Sequence, residues 1–263
     1  MKHTKITHMA VAAHQDDVEF MAYSGIAECF GRKDKGFSAV VATNGSGSPR
    51  AGKYADYTDE QMMEIRCEEQ KRAAEIGKYQ SLSLLMHPSR DVKDKNNPAV
   101  VLGILKLLTE QKPKIVYTHN FADKHDTHVA VAARVIAAIR QMPLKDRPEK
   151  LYGCEVWRGL DWMCDGEKVL LDCSDMPKLA AELMEVFDSQ IAGGKNYARA
   201  VTGRRTANAT FAESHGVDEY SQVAYATDMT PLIKDDKLDP LEFTLEKIRA
   251  FEADVKSRAG KVL

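Results

Sequence analysis

The stretch AAHQDDVEFMAYSG, residues 12–25, overlaps the end of the apolar run ITHMAVAA of residues 6–13. A buried strand is expected in the apolar run and a helix after it, so a histidine and two adjacent aspartates stand where the strand turns into the helix. Neighbouring carboxylates repel each other and resist burial, and a fold tolerates them when a cation or a proton-transfer role offsets the cost. This junction therefore predicts chemistry as well as architecture.

Strand and helix patterns alternate along the first half of the chain. Three more apolar runs resemble strands buried on both faces: FSAVVAT (37–43), LSLLMH (82–87) and KIVYTH (114–119). Helical patterns follow the four strands in turn, at residues 19–33, 58–77, 98–111 and 127–142. Repeated strand-helix units imply right-handed crossovers, and they predict an open, mostly parallel α/β sheet with helices on both faces.

The pattern is less regular from about residue 150 onward. The elements predicted there are strands in LYGCEVWRG (151–159) and KVLLDCS (168–174), and helices at 177–192, 195–212 and 240–257. Nothing in the sequence marks a clean domain boundary. We therefore predict a single domain over residues 1–263, with a core at 1–145 and an elaborated C-terminal part at 146–263.

Composition disfavours several functional classes. The net charge of -2 and the lack of a basic run interleaved with aromatic residues argue against nucleic-acid binding. The sequence has no apolar run near the roughly 20 residues that span a bilayer, and the N-terminus has too short an apolar core for a signal peptide. Five scattered cysteines without a C-x-x-C pair indicate a reducing compartment. We expect a cytoplasmic protein with a small-molecule partner and no membrane contact, and a homo-oligomer is possible.

In an open parallel sheet, ligands bind beyond the carboxyl ends of the strands. The polar residues of the four loops that follow the predicted strands should therefore meet at one edge. These residues are His14, Asp16 and Asp17; TNGSGSP (43–49); His87, Arg90 and Asp91; and HNFADKHDTH (119–128). The Gly-rich loop follows the second strand, whereas the G-x-G-x-x-G motif of a dinucleotide site follows the first strand. We therefore assign this loop to substrate binding and not to a dinucleotide.

His14, Asp17 and His128 form the strongest candidate site. Two imidazoles and one carboxylate suit a catalytic zinc ion with an open position for water, and other divalent metals are possible. An Asp-Asp pair before a helix is more often a cap, and an H-x-x-H pair is more often incidental. Their joint occurrence at strand ends favours the metal site.

Two more residues complete a catalytic hypothesis. Asp16 neighbours a ligand but faces the other way along the turn, so it could accept a proton from the water that the metal activates. His125, three residues before His128, would lie near the same face and could donate a hydrogen bond to a developing oxyanion.

These motifs resemble those of a known family. AHQDDVEF, TNGSG, IRCEEQKRAAEIG and DKHDTH, in this order within residues 6–142, are similar to the PIG-L/LmbE-like family of zinc-dependent N-deacetylases. The resemblance implies a Rossmann-like sheet and N-acetylated sugars or their conjugates as substrates. By position it also implies zinc ligation by His14, Asp17 and His128, Asp16 as general base, and stabilisation of the tetrahedral intermediate by His125.

The resemblance further implies a substrate-binding role for Arg66 in the second helix. Without this resemblance, the preferred interpretation of Arg66 would be a surface ion pair with Glu69. The chain departs from the family motifs A-H-P-D-D-E and H-P-D-H at Gln15, at Val18, which Glu19 follows, and at Asp126-Thr127. The family motif has an aspartate directly before the second histidine, at the position of Thr127, where it could orient the imidazole ring. Asp123 or Asp126 could take over this role for His128. We also assign Asp123 to substrate binding.

The sequence therefore predicts a zinc-dependent hydrolase that removes an acetyl group from an N-acetylated sugar of the N-acetylglucosamine type, or from a sugar conjugate. An amidase for a larger sugar or thiol-sugar conjugate and a non-catalytic, metal-dependent sugar-binding protein remain alternatives, although a binder has no need of Asp16. We expect His87 and His119 to be hydrogen-bonded loop residues. The polar segment 203–216, with Arg204, Arg205 and His215, either reaches the sugar or forms a solvated helix and turn.

Overall fold

The computed structural model describes residues 5–192, 194–213 and 215–263. Its strands are β1 Ile6–Ala12, β2 Gly36–Thr43, β3 Ser81–His87, β4 Ile115–His119, β5 Lys150–Cys154, β6 Lys168–Asp172 and β7 Val223–Asp228. They form one sheet in the order β3-β2-β1-β4-β5-β7-β6. The neighbours from β3 to β5 are parallel, whereas β7 is antiparallel to both β5 and β6. The predicted open, mostly parallel α/β sheet is confirmed.

The helices connect these strands. They are α1 Asp17–Met21, α2 Tyr23–Cys29, α3 Asp59–Ile76, α4 Ser89–Lys93, α5 Ala99–Gln111, α6 Asp126–Arg140, α7 Pro177–Glu185, α8 Asp188–Ile191, α9 Tyr197–Phe211, α10 Thr230–Lys234 and α11 Pro240–Ala259. The helix predicted at 19–33 is two short helices, because Ala22 leaves the helical region with φ -120° and ψ 20°. The helix predicted at 177–192 is likewise divided into α7 and α8.

The helices lie on both faces of the sheet, as predicted. Met9 and Val11 of β1 pack with α5 and α6, whereas Ala10 and Ala12 pack with α1, α2 and α7. All four side chains are fully buried. A strand buried on both faces must be apolar at every position, which is why β1 reads as a continuous apolar run and not as an alternating one.

Helix α3 is fixed at its start by a capping box. The hydroxyl of Thr58 accepts the backbone N–H of Gln61 at 3.3 Å, and the side chain of Gln61 accepts the N–H of Thr58 at 2.9 Å. The helix ends before Gly77. Its buried face includes Arg66 and Gln70, which the helix directs toward the loop after β1.

The order of strands reverses between β1 and β4. The chain runs outward from β1 through β2 to β3, and then returns to place β4 on the other side of β1. A crevice is expected beyond the carboxyl ends of the two strands at such a point. The predicted metal ligands lie just beyond these two ends: His14 in the loop after β1, Asp17 at the start of α1 and His128 in the first turn of α6. None of the helices in the described ranges is long and apolar enough to cross a membrane.

Candidate functional site

Three of the predicted ligand atoms form a small triangle at the β1/β4 crevice. The Nδ1 of His14 lies 3.1 Å from the Oδ2 of Asp17 and 3.2 Å from the Nε2 of His128. The Oδ2 of Asp17 and the Nε2 of His128 are 3.2 Å apart. Ligand atoms in a tetrahedral zinc site with bonds of about 2.0–2.1 Å are separated by about 3.3 Å. The spacing of the donor atoms therefore fits a single small cation.

Local structure orients Asp17 and His14 toward each other. Asp17 is the first residue of α1, and its Oδ2 accepts the backbone N–H of His14 at 2.7 Å. His14 is the more accessible of the two, with 22% of its side chain exposed against 3% for Asp17. One side of the triangle therefore faces solvent, which is where a substrate would approach.

The charges around His128 also suit a cation. Burial would lower the pKa of His128, but the carboxylates of Asp17 and Asp123 raise it to about 10. Burial opposes ionisation of Asp17 as well, yet His128 and His14 hold its pKa well below the usual range. The same negative surroundings that hold a proton on His128 would attract a divalent ion in its place.

Asp123 lies behind His128 and not in the pocket. Its Oδ2 is 3.5 Å from the Nδ1 of His128 and accepts the backbone N–H of Trp157 at 3.0 Å. Its Oδ1 accepts the backbone N–H of His125 at 2.9 Å, and its side chain is 0% exposed. This burial speaks against the direct substrate contact that we expected of Asp123. Asp126 is exposed on α6, so of Asp123 and Asp126 it is Asp123 that faces Nδ1 of His128.

His119 also lies close to the triangle, with its ring stacked on that of His128 at a centroid distance of 3.9 Å. Its Nε2 is 3.6 Å from the Oδ2 of Asp17, so distance alone makes it a second candidate ligand. However, this nitrogen accepts the backbone N–H of Ala13 at 2.9 Å. Its lone pair is therefore occupied, and His119 is a hydrogen-bonded residue, as expected.

Asp16 has an unusual backbone conformation. Its φ of 96° lies in the left-handed region, which costs a non-glycine residue roughly 1–3 kcal/mol and is found most often at functional sites. Burial raises its pKa to about 6, although the guanidinium of Arg66 acts in the opposite direction. A carboxylate with a pKa near neutrality is suited to accepting a proton at physiological pH.

Arg66 is 1% exposed and holds Asp16 in place. Its Nη2 donates to the Oδ2 of Asp16 at 3.1 Å and to the backbone carbonyl of Gln15, and its Nη1 lies 3.3 Å from the Oε2 of Glu69. The ion pair with Glu69 is therefore present, but it is buried and not on a solvated surface. The guanidinium borders the pocket, yet most of its donors already have protein partners.

The Gly-rich loop packs against Arg66 and also lines the pocket, where its position after β2 led us to expect it. Gly45 has a φ of +76°, and a Cβ there would lie 2.9 Å from the Cβ of Arg66 and 2.7 Å from the Oε1 of Gln15. A side chain at this position would be strained in the backbone and would also displace both neighbours. The loop therefore needs glycine at position 45 to pack against Arg66.

A second buried network holds the main chain of Asp16. The Oε1 of Gln70 accepts the Asp16 N–H at 3.3 Å, and the Nε2 of Gln70 donates to the Oε1 of Glu19 at 2.8 Å. The hydroxyl of Tyr79 donates to the same oxygen at 2.8 Å. Glu19, one position beyond the glutamate of the family motif, is thus part of the support for Asp16. Sequence reasoning did not find Gln70, because its partners come from distant elements.

His125 is the N-cap residue of α6. Its Nδ1 accepts the backbone N–H of Thr127 at 3.3 Å, which leaves Nε2 to carry the hydrogen of a neutral ring. Burial and the neighbouring His14 lower its pKa, so the neutral form is favoured. The rings of His14, His125 and His128 each have one nitrogen in a group whose members lie within 4.8 Å of one another. His125 therefore offers an N–H donor beside the ligand triangle.

A pocket of about 370 Å³ opens above these residues. Besides His14, Asp16, Asp17, Arg66 and His125, the side chains that line it come from the Gly-rich loop, α4, the first turn of α6 and the C-terminal part: Thr43, Ser48, Pro49, Ser89, Lys93, Thr127, Trp157, Gln190, Lys195 and Tyr197. Most of these were not predicted. Trp157 and Tyr197 lie in segments without a local motif, so only the folded chain brings them to the pocket.

The described residues of the polar segment 203–216 do not line this pocket. Arg205 is 3% exposed and donates to the carbonyls of Glu19 and Phe20, while Arg204 donates to the carbonyl of Val156. His215 is exposed, and Ser214 lies outside the described residues. The two arginines anchor α9 to the rest of the protein, and the start of α9 is the part that borders the pocket.

Comparison with known proteins adds a family match. Residues 9–139 match the PIG-L family model, whose description is GlcNAc-PI de-N-acetylase. These residues contain the ligand triangle, Asp16, Arg66 and His125.

Solved structures share the fold over most of the chain. N,N'-diacetylchitobiose deacetylase of Pyrococcus horikoshii has a TM-score of 0.66 at 14% identity, covering 89% of this chain and 87% of that one. The A40926 pseudoaglycone deacetylase gives 0.62 at 14%, covering 86% and 97%. The 4-carboxy-2-hydroxymuconate hydratase of Pseudomonas putida gives 0.63 at 16%, covering 86% and 96%. Since a hydratase and deacetylases are similar to the same degree, these likenesses establish the fold and not the reaction.

Proposed function

Because residues 9–139 of this chain belong to the PIG-L family, we propose that the protein is a zinc-dependent hydrolase that removes the acetyl group from an N-acetylated sugar or sugar conjugate. The observation that carries the proposal is the triangle of His14, Asp17 and His128 donor atoms with the buried, pKa-raised carboxylate of Asp16 beside it. Two imidazoles and one carboxylate leave coordination positions open, as catalytic zinc requires.

The reaction adds water across an amide bond and yields acetate and a free amine. The bound ion would make water acidic enough to ionise near pH 7 and would polarise the acetyl carbonyl. Asp16 accepts the proton of the attacking water, and the N–H of His125 stabilises the negative charge that develops on the carbonyl oxygen. The departing amine must receive a proton, which Asp16 returns or His125 supplies.

Asp123 and Arg66 have supporting roles in this proposal. Asp123 faces Nδ1 of His128 from behind, so it would orient the ring and leave Nε2 free to hold the ion. Arg66 holds the carboxylate of Asp16 and the carbonyl of Gln15, so it positions the base, in place of the substrate contact that the family resemblance implied.

The proposal is tested by a screen of N-acetylated sugars, including N-acetylglucosamine and N,N'-diacetylchitobiose, with detection of both acetate and free amine. The enzyme is stripped with a chelator and assayed before and after zinc is restored. Zinc-dependent, equimolar release of both products is expected. Release of a larger acid from a conjugate would favour the amidase alternative, and saturable sugar binding by the zinc-loaded protein without any product would favour the sugar-binding alternative.

Arg66→Lys should lower both stability and kcat/KM. A lysine ammonium cannot donate with fixed geometry to Gln15, Asp16 and Glu69 at once, so buried carboxylates lose part of their pairing. We expect the unfolding free energy to fall by about 1–3 kcal/mol. We expect kcat/KM to fall by a factor that corresponds to a similar loss of transition-state stabilisation. Urea unfolding and steady-state kinetics measure the two effects.

Arg72→Lys is the matched control for this prediction, because Arg72 is exposed on the same helix. It should change neither quantity by more than about 0.5 kcal/mol. If Arg66→Lys were as silent as the control in an enzyme with measurable turnover, Arg66 would not position Asp16.

A further inference from the structure

Helix α11 contacts the rest of the protein along one face. Phe243 packs against the apolar core on the α5 and α6 side of the sheet, and the ring of Phe251 meets that of Trp162 at a centroid distance of 6.4 Å. Between these two contacts, the Nζ of Lys247 donates to the Oε1 of Glu167 at 2.6 Å. All 20 residues of α11 belong to the described part of the chain, and none of them is buried. The helix therefore has a second side that faces solvent.

An apolar stripe runs along this solvated side. Leu241, Ile248 and Val255 are 64%, 42% and 47% exposed, and they are seven residues apart, which places them nearly in line on an α-helix. Leu245 and Ala259 fall on the same line and are half-buried, and these five residues form the α11 stripe. Single exposed apolar residues are normal on a surface. A stripe with alternating spacings of four and three residues is typical of a helix that packs against another helix.

The charged residues along one edge of the α11 stripe change sign along the helix. Glu242, Arg249 and Lys256 each follow an exposed apolar residue of the stripe directly, and Glu252 takes the stripe position that is not apolar. Within α11, Arg249 pairs with Glu242 and Lys256 pairs with Glu252. All four of these side chains are more than half exposed. Exposed ion pairs contribute little to stability, so these charges can exchange partners at little cost.

A second copy of α11 in antiparallel orientation would complement the α11 stripe. If the two-fold axis passes midway along the helix, Leu241 meets Ala259 of the second copy. In the same register Leu245 meets Val255 of the second copy, and Ile248 lies beside the axis. Each large side chain thus faces a smaller one, which allows two helices to approach closely along their whole length of about 30 Å.

The charges select the antiparallel orientation over the parallel one. In the antiparallel register Glu242 lies beside Lys256 of the second copy, and Arg249 comes within reach of Glu252 of that copy. In a parallel pair Glu242 would face Glu242, and Lys256 would face Lys256. Opposite charges across a helix pair stabilise it and fix its orientation, whereas like charges destabilise it.

We propose that the solvated side of α11 is a dimer interface, in which the α11 stripe packs antiparallel against the same stripe of a second copy of this chain. The inference does not depend on the proposed reaction, because no residue of α11 is among the described residues that line the catalytic pocket. An interface of one helix from each chain is small, so we expect a reversible dimer whose population depends on protein concentration.

Sedimentation velocity of the full chain between about 1 and 200 µM measures the oligomeric state, and the mean mass should rise from that of one chain toward that of two. Ile248→Glu should remain monomeric throughout, because it would bury a carboxylate beside the axis. Leu102→Glu is the matched control at an exposed leucine of α5, and it should dimerise like the wild type. A wild-type chain that is monomeric at 200 µM, or an Ile248→Glu chain that dimerises like the control, would overturn the inference.

A charge exchange tests the orientation without placing a charge inside the stripe. Glu242→Lys and Lys256→Glu should each raise the dissociation constant of the dimer by about 3- to 10-fold, because each puts like charges side by side. The double variant restores opposite charges with reversed signs and should return to within about 2-fold of the wild type. Single variants that dimerise like the wild type, or a double variant that recovers no affinity, would contradict the antiparallel interface.

Discussion

Asp16→Asn should reduce turnover of an N-acetylated sugar by about 100- to 10,000-fold while the protein retains its zinc. The amide of asparagine can still accept a hydrogen bond from Arg66, but it cannot take a proton from water. Asparagine also tolerates a positive φ better than most residues, so the φ of 96° at this position should be preserved. The loss should therefore fall on kcat and leave the fold intact.

Steady-state kinetics and elemental analysis of the same preparation separate these effects. Asp126→Asn is the matched control, because it makes the same chemical change at an exposed position in the first turn of α6. It should retain wild-type turnover. If Asp16→Asn also turned over at the wild-type rate, another group would have to be the base.

His14→Ala and His128→Ala should each abolish binding of about one divalent ion per chain, and activity should be lost with it. Each substitution removes one of three donor atoms that lie 3.1–3.2 Å apart, and the two that remain cannot hold a catalytic ion. His14→Ala is the cleaner of the two tests. His128 is fully buried between stacked rings, so its removal also leaves a cavity.

Elemental analysis after gel filtration measures the ion content, and circular dichroism verifies that each variant is folded. The exposed His215 supplies a control, since His215→Ala should bind as much metal as the wild type. Undiminished metal content in the folded His14→Ala and His128→Ala variants would remove the proposed site.

The four strands nearest the site were predictable because each is a short apolar run. Strands β1, β2 and β4 are buried on both faces, and their sequences show this without reference to the rest of the chain. Strand β3 was expected to be buried in the same way, but it is an edge strand of the sheet and is only half-buried. The break at Ala22 was not predictable, since the surrounding sequence contains no proline and continues a helical pattern. Strand β7, Val223–Asp228, was missed, and its place in the sheet depends on pairing with β5 and β6, which are distant in sequence.

The same distinction applies to the site. His14 and Asp17 are three residues apart, and the rule that ligands bind at strand ends places His128 beside them. Arg66 could not be understood in this way, because its burial depends on Ser189 and on Phe187, whose ring lies 5.8 Å from the guanidinium carbon. Local spacing thus located the donor atoms, whereas the residues that support them or bind substrate depend on the packing of the C-terminal part.

The place of β7 in the sheet bears on the order in which the protein matures during translation. The proposed metal ligands are all synthesised by the time α6 leaves the ribosome, and α6 follows β4, the strand that pairs with β1. Trp157, Tyr197 and β7 emerge later, and β7 must then insert between β5 and β6 to complete the sheet. Domains are synthesised and begin to fold from the N-terminus. If the proposed ligands hold the ion, the nascent chain contains the whole ligand set before it contains the C-terminal residues that line the pocket.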